Sequence, residues 1–171
     1  SAYAGYSGEA IEGITNDDSV PGEGRITYDI KFYAFTPTKK HVKIIINVEA
    51  QNRYNPGYDL ATRSVFYCAR MLSSQLDVEF SAKNYDGIKK VYSIWVCMNA
   101  PQYAEYTITR YRLYKDNIYG YTKKDSRYNL MESIIICLGN EERASKGNKL
   151  HGMLSTLFSM KLTPQEKETI L

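Results

Sequence analysis

Residues 25–35, RITYDIKFYAF, alternate in polarity: Ile26, Tyr28, Ile30 and Phe32 take one side of an extended chain, and Thr27, Asp29, Lys31 and Tyr33 the other. A period of two predicts a half-buried strand. After the turn segment TPTKK, residues 41–51, HVKIIINVEAQ, predict a second strand. Val42, Ile44, Ile46 and Val48 share one side of it, and Lys43, Ile45, Asn47, Glu49 and Gln51 share the other. NRYNPGY then breaks the pattern, because Asn, Pro and Gly do not continue a ladder. From Asp59 to about Gln75 the period turns helical, with Asp59 as N-cap and Leu60, Val65, Cys68, Ala69 and Leu72 as the apolar side. Three more strands are expected at KKVYSIWVCM (89–98), EYTITRYRLYK (105–115) and LMESIIICLG (130–139), followed by a charged surface loop and an amphipathic helix, LHGMLSTLFSM. Ahead of Arg25 the chain is acidic and turn-rich; GEAIEGI (8–14) offers a short helix, and no strong strand is expected there. At the other end TPQEKETIL opens a helix, with Thr163 as N-cap, Pro164 at the first position and Glu166 three on from the cap. That helix has barely begun where the sequence stops, so a longer protein continuing beyond both ends is expected.

The first two strands form an antiparallel hairpin about TPTKK. A turn centred near residues 38–39 sets Asp29 opposite Asn47 to Glu49. Under any even offset Asp29 shares a side with Glu49 and Gln51, since directly opposed residues point the same way. Two carboxylates and an amide thereby converge at one end of a hairpin otherwise padded by Ile, Val and Phe. Clustered like charges are costly unless a cation neutralises them. A few hard oxygen ligands suit Mg2+, which keeps several of its waters. Asp29 and Glu49 are therefore the expected Mg2+ ligands, with Mn2+ as a substitute, on a face covered by the 59–75 helix. On that helix Arg63, Tyr67 and Arg70 stand at i, i+4 and i+7, one stripe beside the apolar one. Arg63 is expected to point at the acids or at a phosphate, with Tyr67 beside it. Lys39, Lys40, Lys43, Lys89, Lys90, Arg110 and Arg112 are the candidates for a phosphate-tracking surface. The competing account is an ordinary solvated hairpin face with Arg63 and Arg70 as surface charges.

Composition narrows the classes. At 171 residues the chain has the length of one domain with a real core. It is 43% hydrophobic and 24% charged without an eighteen-residue apolar run, so neither a membrane-spanning helix nor a signal peptide is expected. A net charge of +3 permits a polyanionic partner but supplies no dedicated basic arm. Cys68, Cys97 and Cys137 are odd in number and lie in apolar stretches without a CxxC pair. They predict buried thiols in a reducing, cytoplasmic compartment, with neither a zinc site nor a disulfide framework. Sixteen tyrosines fit strands and their edges, or, more sharply, stacking on bases. His41 and His151 have no partners at metal or triad spacing.

An Asp on one strand, E-x-Q ending the next, and R-x-x-x-Y on the following helix together resemble the PD-(D/E)XK nuclease superfamily. Within it the chain is most similar to the PD-(D/E)XK nuclease family transposases, related to the recombination-promoting nucleases. The likeness is carried by YDIKF (28–32), INVEAQNRYNPGYDLATRSVFYCARM (46–71) and KKVYSIWVCMNAP (89–101), and with TITRYRL spans roughly 25–140. It implies an α/β fold with a restriction-endonuclease-like core, a central mixed sheet flanked by helices, in one domain over residues 1–171. It also implies Mg2+-dependent hydrolysis of DNA phosphodiester bonds, linked to recombination or mobile elements. The superfamily's Asp maps to Asp29, its second acid to Glu49 and its Lys position to Gln51. This last departs from the superfamily motif, though typical of the branch: an amide hydrogen-bonds but brings no charge, which Arg63 would then supply. A further acid from the first helix maps to Glu9 or Glu12, with Glu9 as a third metal ligand. DNA is the implied partner, and a homodimer is compatible with it. No DDE triad supports transposition chemistry. The alternative is a nuclease-fold protein that binds nucleic acid or a protein partner without cutting.

Overall fold

The computed structural model describes residues 11–20, 22, 24–35, 43–123, 127–139, 147–159 and 161–170. Its elements are β1 (Ile11–Gly13), β2 (Asp17–Val20), β3 (Gly24–Thr27), β4 (Ile30–Phe35), β5 (Lys43–Arg53), α1 (Leu60–Ser73), β6 (Val91–Asn99), β7 (Thr107–Arg112), β8 (Met131–Cys137), α2 (Lys149–Phe158) and α3 (Pro164–Ile170). Six strands make one sheet in the order β1-β4-β5-β6-β8-β7, while β2 and β3 form a separate two-stranded ribbon. β5, β6 and β8 run parallel, bordered by antiparallel β4 and β7. The chain is thus an α/β protein with a six-stranded mixed sheet flanked by helices.

Parallel neighbours cannot be joined by a tight turn, and α1 provides the crossover from β5 to β6. It covers the face carrying Ile45, Val91, Trp95 and Ile135. Side chains alternate across a strand, so Val96, Ile136 and Leu138 belong to the opposite face, where Leu154 and Phe158 of α2 pack. Covering on both faces is why SIIIC reads as a nearly unbroken apolar run. Among the described residues no helix is long and apolar enough to cross a membrane. The expected caps form: Asp59 Oδ1 accepts from Thr62 N at 2.7 Å, and Glu166 Oε2 accepts from Thr163 N at 2.8 Å.

Four expectations are corrected. The strand expected over 25–35 breaks at Tyr28–Asp29, so β3 pairs with β2 and only β4 joins the main sheet. Tyr28 turns inward, 1% exposed and edge-on to Tyr67, whereas Ile30 is 55% exposed. Strands also precede Arg25: Ile11–Gly13 of GEAIEGI is edge strand β1 rather than helix, and Asp17–Val20 is β2. Gly22 and Gly24, at φ 80 and 76, give the ribbon turn a backbone conformation open to glycine at little cost.

The buried stripe of α1 is rotated from the expected one. Leu60, Ser64, Tyr67, Cys68 and Met71 face the sheet, while Val65 is 40% exposed and Ala69 also faces out. This stripe buries Tyr67, Cys68 and Met71, and within it Ser133 Oγ donates to Ser64 Oγ at 2.5 Å, a match that hydrophobicity alone does not reveal. Arg70 is neither a site residue nor a solvated charge. It is 2% exposed and donates to the Gly24 carbonyl at 2.8 Å, tying the ribbon to α1.

Candidate functional site

The β4–β5 ladder ends with Ile30 opposite Val48, so the next row holds Asp29 and Glu49. Because β4 has not yet begun at Asp29, backbone groups there lack strand partners, and the two acids supply them. Asp29 N donates to Glu49 Oε1 at 3.2 Å, and Ala50 N donates to Asp29 Oδ2 at 2.9 Å. This reciprocal bracket ties Asp29 to the end of β5 that bears Glu49. Glu49 is buried on the α1 face, with Trp95 its neighbour on β6; Asp29 is exposed.

Asn47, wholly buried two residues back on the same side, donates Nδ2 to Glu49 Oε1 at 3.0 Å. Its Oδ1 is buried with no hydrogen-bond partner among the described residues. An orphaned carbonyl oxygen in a core is costly and marks a place where a partner belongs. Asp29 Oδ1 and Glu49 Oε2 are likewise unused by any hydrogen bond among the described residues.

Arg63 sits over this face. Its guanidinium donates to Tyr67 Oη at 2.8 Å and to Tyr58 Oη, and lies 4.8, 5.2 and 5.4 Å from the ring centres of Tyr58, Tyr67 and Trp95. Among the described residues no carboxylate forms an ion pair with it. An arginine held by phenols and ring faces keeps its charge available to an anion. Arg63 and Tyr67 are thus brought to the Glu49 face.

Other expected residues are not. Gln51 follows Glu49 on the same side, but its Nε2 is occupied by the Arg53 carbonyl at 3.0 Å. Glu9, Lys39, Lys40 and His41 lie outside the described residues. Glu12 opposes Tyr33 in the row of Ile45, four residues along the strand from the Glu49 row, which is roughly 13 Å. Lys43 and Lys90 are held in ion pairs with Glu79 and Glu132, both at 2.6 Å, at the far end of the parallel strands. Lys43 and Lys90 are therefore held away from the acids. Three contributors went unassigned in the sequence. Asn47 shared the polar side with Glu49 but no role was visible; Tyr58 sits in the loop NPGY; Trp95 needed the β5–β6 register.

Burial pushes the Glu49 carboxyl above its ordinary value; the neighbouring Asp29 charge adds to this, while the Asp29 N–H, the Asn47 amide and Arg63 oppose it. An acid whose folded value is raised binds protons more tightly in the folded state. Stability then falls as pH rises from the ordinary carboxylate value through the folded one, and the penalty is fully present above both. Glu49→Gln, whose amide can donate to Asp29, is expected to raise the midpoint of thermal unfolding at pH 7 in EDTA and to flatten its pH dependence in the acid range. Excess Mg2+ should erase the advantage. Equal midpoints at every pH would mean that Glu49 is not under electrostatic load.

The donor set can be weighed against the expected cation. Among the described residues no group of three His, Cys, Asp or Glu side chains could hold a metal ion. A cation here would rest on Asp29 and Glu49, with Asn47 orienting the Glu49 carboxylate. Hard oxygens in this small number suit Mg2+, which is usually held by one or two carboxylates and retains waters. The residues present fit. Comparison with family models, with curated proteins and with solved structures finds no match to the chain.

Proposed function

We propose that this protein is a Mg2+-dependent DNA endonuclease with a restriction-endonuclease-like core, similar to the PD-(D/E)XK nuclease family transposases, acting in the cytoplasm. The single observation that carries the reading is the bracket between Asp29 and Glu49, with the orphaned Asn47 oxygen beside it. When bound, Mg2+ supplies charge for the scissile phosphate and eases ionisation of the attacking water. Asp29 and Glu49 would hold it, and Asn47 keeps Glu49 oriented. Arg63, clamped by Tyr58 and Tyr67, meets negative charge developing on the phosphate, the role a preorganised cation fills best in a partly dry site. Burial of Cys68, Cys97 and Cys137 as free thiols agrees with a reducing compartment.

One arrangement favours the alternative of binding without cutting. Gln51 spends its amide nitrogen on a backbone carbonyl, and Lys31, opposite Asn47, is held by Asp18 at 3.4 Å. A plasmid-nicking assay separates the two. Supercoiled DNA should be nicked with Mg2+ or Mn2+ and left intact in EDTA. Retarded DNA that stays uncut under every divalent metal would transfer the proposal to the binding protein.

A further inference from the structure

β7 and the segment that follows it form the far edge of the sheet, three strands, roughly 14 Å, from β5. Residues 110–123, RYRLYKDNIYGYTK, interleave aromatic and basic side chains. Four cations stand there against one acid, a surplus equal to the +3 of the whole chain. The rest of the sequence is balanced, and the excess charge lies at this edge. Arg110 and Arg112 alternate onto one side of β7, about 7 Å apart, and both are exposed. Neither of them nor Lys123 forms an ion pair among the described residues. Glu132, opposite Arg112 and within the field of Arg110, is already paired with Lys90.

Beyond Arg112 the chain leaves the sheet without regular secondary structure, yet it is closed upon itself. Lys115 Nζ donates to the Lys123 carbonyl at 3.2 Å, and Thr122 Oγ1 donates to Asn117 Oδ1 at 3.3 Å. Gly120, at φ 68, lies in the turn between these bonds. They hold an arm on which Tyr114, Ile118, Tyr119 and Tyr121 are 82% to 100% exposed. Among the described residues none of the three tyrosine rings meets another ring, and none of their hydroxyls has a hydrogen-bond partner. Single exposed aromatics are ordinary, but four large apolar side chains gathered on one closed loop mark an interaction surface.

We propose that this arm and the β7 edge bind single-stranded DNA. The ring faces of Tyr114, Tyr119 and Tyr121 stack on unpaired bases, while Arg110, Arg112 and Lys123 meet the phosphates. Rings beside a cationic track hold single strands without sequence preference. A duplex keeps its base faces against one another and offers the rings nothing to stack on. A second copy of the chain fits less well, because a two-fold contact would set these cations against their own images. A membrane surface is met by an amphipathic helix with one apolar face, and no helix forms over these residues. That the strand is DNA rests on the function proposed above, whereas stacking requires only the arm.

The test titrates the full chain in EDTA into a fluorescein-labelled oligothymidylate of twelve units and follows anisotropy. Affinity should fall with salt at a log–log slope of about −2, the value for three phosphates met on a single strand. Arg110→Gln with Arg112→Gln should bring the slope to about −0.7. Tyr114→Ala, Tyr119→Ala and Tyr121→Ala combined should weaken binding at least about a hundredfold. The three corresponding Tyr→Phe changes should hold it within about threefold of wild type, since a ring face is what stacking needs. Both variants should keep the unfolding midpoint, because the side chains are exposed. An abasic strand of equal length and charge should bind at least about tenfold more weakly, and a duplex more weakly too. Light scattering should give one mass for wild type and the alanine variant. Equal affinity for the abasic strand or the duplex, full binding by the alanine variant, a dimer that this variant dissolves, or capture by phosphatidylserine vesicles in place of the oligothymidylate would overturn the proposal. Nicking with Mg2+ but no affinity for the oligothymidylate would overturn it and leave the nuclease standing; binding through the tyrosines without nicking would do the reverse.

Discussion

Glu49→Ala should abolish Mg2+-dependent nicking, a loss of at least about a thousandfold, because one substitution removes a ligand and the buried charge that attracts the ion. It also releases the Asp29 N–H and the Asn47 amide from Glu49 Oε1, so two groups that order the site lose their anchor. Gln51→Ala should cost less, on the order of ten- to a thousandfold, the range for one orienting donor. Gln51→Lys should be tolerated or faster, since it restores a charge at unchanged backbone. Circular dichroism on the same preparations keeps folding in view, as replacing a buried acid that bears raised electrostatic cost should not unfold the chain. Nicking undiminished in Glu49→Ala would place the activity elsewhere.

The largest stability effect is expected at Trp95. It is 1% exposed, lies 5.2 Å from the Tyr67 ring, and donates Nε1 to Ser93 Oγ at 2.9 Å. Trp95→Ala should remove about 3–5 kcal/mol, through lost transfer energy and the cavity left between α1 and the sheet. Because this is the one tryptophan of the chain, the midpoint in urea should be read by circular dichroism rather than by intrinsic fluorescence. The same change deprives Arg63 of one of its three ring neighbours. Trp95→Phe, which keeps a ring but loses the bond to Ser93, should fall between wild type and Trp95→Ala. A loss under about 1 kcal/mol for Trp95→Ala would contradict the packing described here.

Local pattern alone decided much of this molecule. The strands expected from local pattern became β4, β5, β6, β7 and β8, and Asp59 and Thr163 capped their helices, because these features depend on residues within a few positions of one another. That Asp29 lies near Glu49 was legible to within two residues, since a hairpin's register follows from the position of its turn, and the Ile30–Val48 pair fixed the rest. What required tertiary structure was whatever depended on a distant partner. The break at Asp29 reflects Tyr28 turning in against Tyr67 of α1. The rotated stripe of α1 brings Tyr67, Cys68 and Met71 inward and sets Ser64 against Ser133 across 69 residues, and Arg70 is buried where the Gly24 carbonyl of the ribbon receives it. Asn47 gained significance only once its oxygen was enclosed without a partner, and Lys43 and Lys90 left the basic surface once Glu79 and Glu132 faced them. Periodicity reports which side of an element turns inward; the identity of what waits there is set by chain segments that periodicity does not connect.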